Sequence, residues 1–152
     1  MKRYMKGILA MTLVVCSLVG MCAVGATTND QTDNMSIYGM TVNDITDPIG
    51  IDSEIPTFSW KLQSNEIGQK QTAYRLTVSA DEGLNDLVWD SGKVESADTT
   101  DIPYGGSALA DCTRYYWQVT VWDVNGEPCK SALRFFETAY ITGTPLGDAQ
   151  WI

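Results

Sequence analysis

The stretch Arg114–Pro128, "RYYWQVTVWDVNGEP", decides how this chain folds. In extended backbone Tyr115, Trp117, Val119 and Val121 share one face, and Tyr116, Gln118, Thr120 and Trp122 share the other. Period-two alternation of this kind is the signature of a half-buried antiparallel strand. Asn125-Gly126 follows it, the strongest short signal for a tight hairpin. If residues 114–123 and 130–138 pair about that dipeptide, Trp122 lies opposite Cys129.

The same period recurs on either side. Phe58, Trp60 and Leu62 alternate with Ser59, Lys61 and Gln63 in "PTFSWKLQS", and Tyr74, Leu76 and Val78 with Arg75, Thr77 and Ser79 in "TAYRLTVSA". Weaker strand candidates are 36–42, 86–90, 97–102 and 131–138, and no window carries a helical period. Gly68, Ser91-Gly92 and Gly105-Gly106 punctuate the chain, while Pro48, Pro56 and Pro103 sit at strand starts or loops. Seven or so short strands with frequent turns predict an all-β fold, an antiparallel β-sandwich of fibronectin type III or immunoglobulin kind spanning 35–138. Trp60, Tyr74, Tyr115 and Trp117 are its expected core aromatics.

The first residues belong to a different class of segment. "MKRYMK" is basic, the next twenty residues carry no charge, and small residues stand at Val24-Gly25-Ala26. This is the pattern of an export signal peptide over residues 1–26, and it places the mature protein outside the cytoplasm. An uncleaved anchor is the lesser alternative. A lipoprotein is disfavoured, because Cys16 and Cys22 follow Val15 and Met21 rather than a small residue. A polar linker, 27–34, comes next. Without residues 1–26 the chain keeps 126 residues, seven cations and 19 carboxylates, a net charge of −12. That balance argues against nucleic acid or an anionic membrane as partner, since both need clustered Lys and Arg.

Cys112 and Cys129 are expected to remain two free thiols. In the proposed hairpin they lie ten residues apart along the ladder, roughly 33 Å at ~3.3 Å per residue. A disulfide needs Cα atoms within about 7 Å.

Chemistry is hard to find. There is no histidine, which removes Ser-His-Asp and Cys-His arrangements and His-ligated metals. No glycine-rich phosphate loop is present, and the cysteines lack the close pairing of a zinc or redox motif. Asp81, Glu82 and Asp86 form an acidic loop without the residue order of a calcium site, so a solvated turn is the favoured reading. No catalytic residue, no cofactor site and no metal site is expected. Tyr116 and Trp122 face away from the core, and Trp89 is placed with them. Three roles remain open for these aromatics: an interface with another domain, partial cover by loops, or a platform for sugar rings. The triplet Val-Trp-Asp occurs twice, at Val88–Asp90 and Val121–Asp123. Its spacing is too short for a WD-repeat propeller, whose Gly-His half is also missing, so each triplet reads as a strand end followed by a turn.

Leu109, six residues before Tyr115, followed by the alternation at Trp117, Val119 and Val121, resembles the penultimate strand of fibronectin type III domains. There the Tyr hydroxyl bonds back to the backbone of the preceding turn. Longer segments resemble one family. "NDITDPIGIDSEIPTFSWKLQSNEIGQKQTAYRLTVSA", "VWDSGKVESADTTDIPYGG", "RYYWQVTVWDVNGEPCKSALRFFET" and "AQWI" are similar to the N-terminal region of bacterial α-L-rhamnosidases. Asp47 stands where Asn is usual, and Cys112 and Cys129 are departures. The resemblance implies a non-catalytic module at the front of a multidomain inverting glycosidase, with the catalytic carboxylates in a distant (α/α)6 barrel. It implies downstream domains as partners, with rhamnose-containing carbohydrate as a further candidate. Residues 139–152 would be a connector, with Trp151-Ile152 opening the next domain. The alternative is a stand-alone carbohydrate-binding or surface adhesion module, and an intact small hydrolase is a third reading.

Overall fold

A computed structural model describes residues 35–141. The signal peptide, the polar linker 27–34 and residues 142–152 of the connector lie outside the described residues. The strands are β1 (Met35–Val42), β2 (Ile49–Ile51), β3 (Thr57–Ser64), β4 (Ala73–Ser79), β5 (Leu87–Asp90), β6 (Ile102–Pro103), β7 (Arg114–Trp122), β8 (Pro128–Lys130) and β9 (Arg134–Thr138). They form two sheets, one ordered β1-β3-β6 and the other β2-β9-β7-β4-β5 with β8 also paired to β7. Every pairing is antiparallel except β2 with β9. The β-sandwich expected from the alternation is the fold.

The first segment serves both sheets. After β1 the backbone takes left-handed φ at Asn43 (48°), Asp44 (64°) and Asp47 (45°), which redirects it from the small sheet to the edge of the large one. Asn and Asp tolerate that region best among residues with a Cβ. The Asn43 carboxamide also accepts the Thr57 N–H at 2.8 Å, tying the crossover to the start of β3.

Between the sheets Phe58, Trp60, Trp117 and Phe136 are almost fully buried, each worth ~2–3 kcal/mol of transfer free energy. Phe58 meets Trp117 with ring centroids 4.8 Å apart, and Tyr115 stacks on Phe136 at 5.5 Å. Trp60 packs edge-on against Tyr74 at 5.5 Å. The expected core aromatics are thus inside. Two polar edges of this core are satisfied locally, while the Trp117 indole N–H has no partner among the described residues. The Trp60 indole N–H donates to Gln71 Oε1 at 3.0 Å, and the Gln71 amide donates to the carbonyls of Ser96 and Asp98. The Ala110 N–H donates to Tyr115 Oη at 2.9 Å, with Leu109 buried beside it. This is the bond that the Leu109–Tyr115 spacing suggests.

The register around Asn125-Gly126 differs from expectation. Gly126 N–H donates to Asp123 O, Asp123 N–H donates to Glu127 O, and of the two turn residues only Gly126 has a positive φ, 81°. The loop is therefore Val124-Asn125-Gly126, a type I turn closed by a left-handed glycine, and not a two-residue turn. One added residue shifts the ladder, so Cys129 faces Val121 and turns inward, while Trp122 pairs with Pro128. The shift is undone between Lys130 and Arg134, and Trp117↔Arg134 and Tyr115↔Phe136 stand in the register expected from sequence. Cys112 is exposed, Cys129 is buried, and no disulfide joins them.

Three smaller differences have local causes. Ile49–Ile51 is too short to show a period and is held as a strand by β9. The candidate 97–102 reduces to one bond from Trp60 N–H to Thr99 O and the pair Ile102–Pro103, because Asp101 turns left-handed (φ 54°). The domain also runs past residue 138. Ala139 N–H donates to Ile51 O, Cys112 N–H donates to Ala139 O, and Ile141 N–H donates to Asp111 Oδ1.

Candidate functional site

The outer face of the large sheet carries two of the three aromatics singled out in the sequence, Tyr116 and Trp122, but they do not converge. Tyr116 is half-buried between Ser79 of β4 and Phe135 of β9. Phe135 is an unforeseen member of this face, with the Arg114 guanidinium 4.4 Å from its ring centroid and bonded at 2.7 Å to Glu137. Trp122 lies six residues further along β7, about 20 Å away at ~3.3 Å per residue. Its ring carries the Lys93 ammonium 4.9 Å from the centroid.

Trp89 is not on this face. It pairs with Val78, whose side chain points into the core, and meets Phe58 at 6.1 Å and Tyr104 at 5.2 Å. The register shift between the Val78 and Ser79 pairs makes Val88 the extra residue, and that bulge sets the Trp89 side inward. Gly105-Gly106 roofs the indole. A Cβ on Gly106 would collide with Tyr104 Oη and come within 2.7 Å of Trp89 Cβ. Burial, with the nearby Tyr115, pushes the Tyr104 phenol up to about 12, and its hydroxyl has no partner among the described residues.

Among the described residues, two concavities lie off this face. One, of about 560 Å³, lies against the outer face of the small sheet, with Thr41, Asp44, Ser59, Lys61, Thr100 and Asp101 among its lining residues. The other, of about 420 Å³, lies where the described chain ends. Ile55, Tyr104, Leu109 and Ile141 wall it, Gly105 to Ala108 form a small-residue side, and Glu54 stands at the rim. Sequence reasoning missed this groove. The string Gly105-Gly106-Ser107-Ala108 was its signal, but in a loop such a string also reads simply as a turn.

Among the described residues no catalytic arrangement emerges. In the acidic loop Asp81 accepts the Ser79 hydroxyl, the backbone N–H groups of Asn85 and Asp86, and the Asn85 amide. The Asp86 N–H leads in holding this carboxyl below the usual range. It is a capped turn. Among the described residues no group of three His, Cys, Asp or Glu side chains is placed to hold a metal ion.

The comparisons with known proteins fit this geometry. A model described as the Rha78A-like N-terminal immunoglobulin domain matches residues 37–142. The chain belongs to that family. This Rha78A-like domain is 42% identical over 108 residues to an α-L-rhamnosidase of Streptomyces avermitilis, covering 69% of this chain and 10% of that protein. It is 39% identical over 117 residues to an α-L-rhamnosidase of Formosa agariphila, covering 73% of this chain and 12% of that one. Among solved structures, the Streptomyces avermitilis α-L-rhamnosidase complexed with L-rhamnose superposes with a TM-score of 0.68 at 37% identity, over 70% of this chain and 11% of its own. The α-L-rhamnosidase from Dictyoglumus thermophilum gives a TM-score of 0.65 at 35% identity, over 70% and 12%. The chain thus spans about an eighth or less of the relatives it matches. The Rha78A-like domain corresponds to an N-terminal domain in those multidomain proteins.

Proposed function

We infer that this chain is the non-catalytic N-terminal module of an exported α-L-rhamnosidase-like glycoside hydrolase, and that its work is to pack against the domains that follow and support their orientation. The observation that carries this reading is the family match over a sandwich that covers only 10–12% of those relatives. A module without a catalytic arrangement contributes through its surfaces, and interfaces between domains of one chain are modest in area and partly polar. Export rests on the basic and apolar character of residues 1–26.

The test compares the 152-residue chain with the full polypeptide encoded by its source genome. The chain alone should release no p-nitrophenol from p-nitrophenyl α-L-rhamnoside, and the full polypeptide should. Deleting the Rha78A-like domain from the latter should lower its Tm. Turnover by the isolated chain, or an unchanged Tm after deletion, counts against the reading. A second reading, a carbohydrate-binding module, is favoured by the Trp122 ring on the outer face and the hydroxyl-rich 560 Å³ concavity. Affinity electrophoresis in rhamnose-containing polysaccharide tests it, with unaltered mobility as the negative result.

A further inference from the structure

We propose that the 420 Å³ groove walled by Ile55, Tyr104, Leu109 and Ile141 is the seat of the module that follows in the same polypeptide, and that it receives an apolar side chain flanked by a cation. This rests on the reading of the chain as an N-terminal module and names the surface it uses.

Three observations converge on this pole of the sandwich. The first is position. Ile141 lines the groove and is also the last described residue, fixed there by its N–H bond to Asp111 Oδ1 at 2.7 Å. In the relatives, roughly nine-tenths of the polypeptide lies outside the part this chain matches, and the matched family is N-terminal. The chain leaves its described residues beside the groove.

The second is chemistry. Ile55 keeps 60% of its surface exposed beside the small residues Gly105 to Ala108, which leave backbone and methyl surface open to an incoming side chain. Exposed apolar surface in a concavity marks a contact site more often than an isolated surface leucine or isoleucine does. The third is charge. Glu54 at the rim has no ion pair among the described residues, Asp52 is exposed two residues before it, and no Lys or Arg lines the groove. A partner carrying Lys or Arg next to its apolar anchor completes the rim, and one carrying carboxylates is repelled.

The test uses the full polypeptide with Ile55→Asp, Ser107→Trp and, as control, Ile67→Asp. Ile67 is fully exposed in the β3–β4 connection, outside the groove. All three variants of the 152-residue chain should melt with the unsubstituted chain, which separates docking from folding. In the full polypeptide, backbone amides of residues 104–109 should be protected from hydrogen exchange relative to the chain alone. Ile55→Asp and Ser107→Trp should each speed that exchange roughly tenfold, while Ile67→Asp leaves it unchanged. Unaltered protection in both groove variants overturns the groove assignment and leaves the packing role standing. Absence of protection at 104–109 in the unsubstituted polypeptide also overturns the groove assignment alone, whereas a reading frame that stops after Ile152 overturns both.

Discussion

The two Val-Trp-Asp triplets have the same sequence and opposite orientation. In β7, Val121 enters the core and Trp122 faces outward beneath the Lys93 ammonium. In β5, Trp89 turns inward against Phe58 and Tyr104. Only the aspartates behave alike. Asp90 Oδ1 accepts the Gly92 N–H at 2.9 Å, and Asp123 Oδ1 accepts the Asn125 N–H at 2.8 Å, each carboxylate closing the turn two residues on. Even they differ in depth, since Asp123 is buried and Asp90 reaches out to Arg75. Facing is thus imposed by the neighbouring strand, whereas the turn belongs to the residue itself.

Substitutions can break this contrast. Trp89→Ala should cost about 3 kcal/mol in chemical denaturation, because it empties a site between two rings and a glycine roof. Trp122→Ala should cost less than about 1 kcal/mol, and equal losses for the two tryptophans would show that facing is not what separates them. Between these lies Gly106→Ala. Its added methyl meets Tyr104 and Trp89, so it should destabilise by about 1–3 kcal/mol. An unaffected Gly106→Ala variant would remove the roof from the account of Trp89.

The aspartates sharpen the contrast through pH. Burial pushes the Asp123 carboxyl up, but the N–H groups of Glu127 and Asn125 with the Gln69 amide outweigh it and hold it low. The Arg75 guanidinium is the main cause holding Asp90 low. A depressed folded pKa gives stability that is present above the unfolded value of about 3.9 and is lost as pH falls through the folded one. Tm should therefore stay level above about pH 5 and fall below about pH 4. Added salt should weaken only the Asp90 part, which is an exposed ion pair. Asp123→Ala should lower Tm at pH 7 more than Asp90→Ala, and the reverse order would contradict the difference in depth.

The smallest effect is expected at Tyr104→Phe. It removes a buried hydroxyl without a described partner, so stability at pH 7 should change by less than about 0.5 kcal/mol. The variant should, however, resist alkali. With Tyr104 raised from about 10 to about 12, its contribution is intact below about pH 10 and lost as pH rises toward 12. Tyrosine absorbance followed against pH checks this, and identical alkaline unfolding of the two proteins would argue that Tyr104 is not the buried phenol described.

Much of the fold was legible because long strands average over many residues. Nine positions in β7 and eight in β3 leave one consistent assignment of faces. Four residues with a bulge, as in β5, do not, and the side of Trp89 comes from its pairing with Val78. Asn125-Gly126 announced a turn correctly, but whether both residues or Gly126 alone take the left-handed conformation decides the loop length, and local sequence allows either. The groove was the least legible feature. Ile55, Tyr104 and Ile141 are separated by dozens of residues and meet only once both sheets have formed.

The parallel pair β2–β9 has a mechanical consequence. Tension entering at Ile141 runs through Ala139 into β9, where the N–H groups of Glu137 and of Ala139, just past the strand, bond the carbonyls of Pro48, just before β2, and of Ile51 within it. Strands pulled past one another along their length must break such bonds together, whereas an antiparallel hairpin pulled from its open end unzips one bond at a time. A load applied at Ile141 therefore meets a shear joint, which resists it before the core is disturbed.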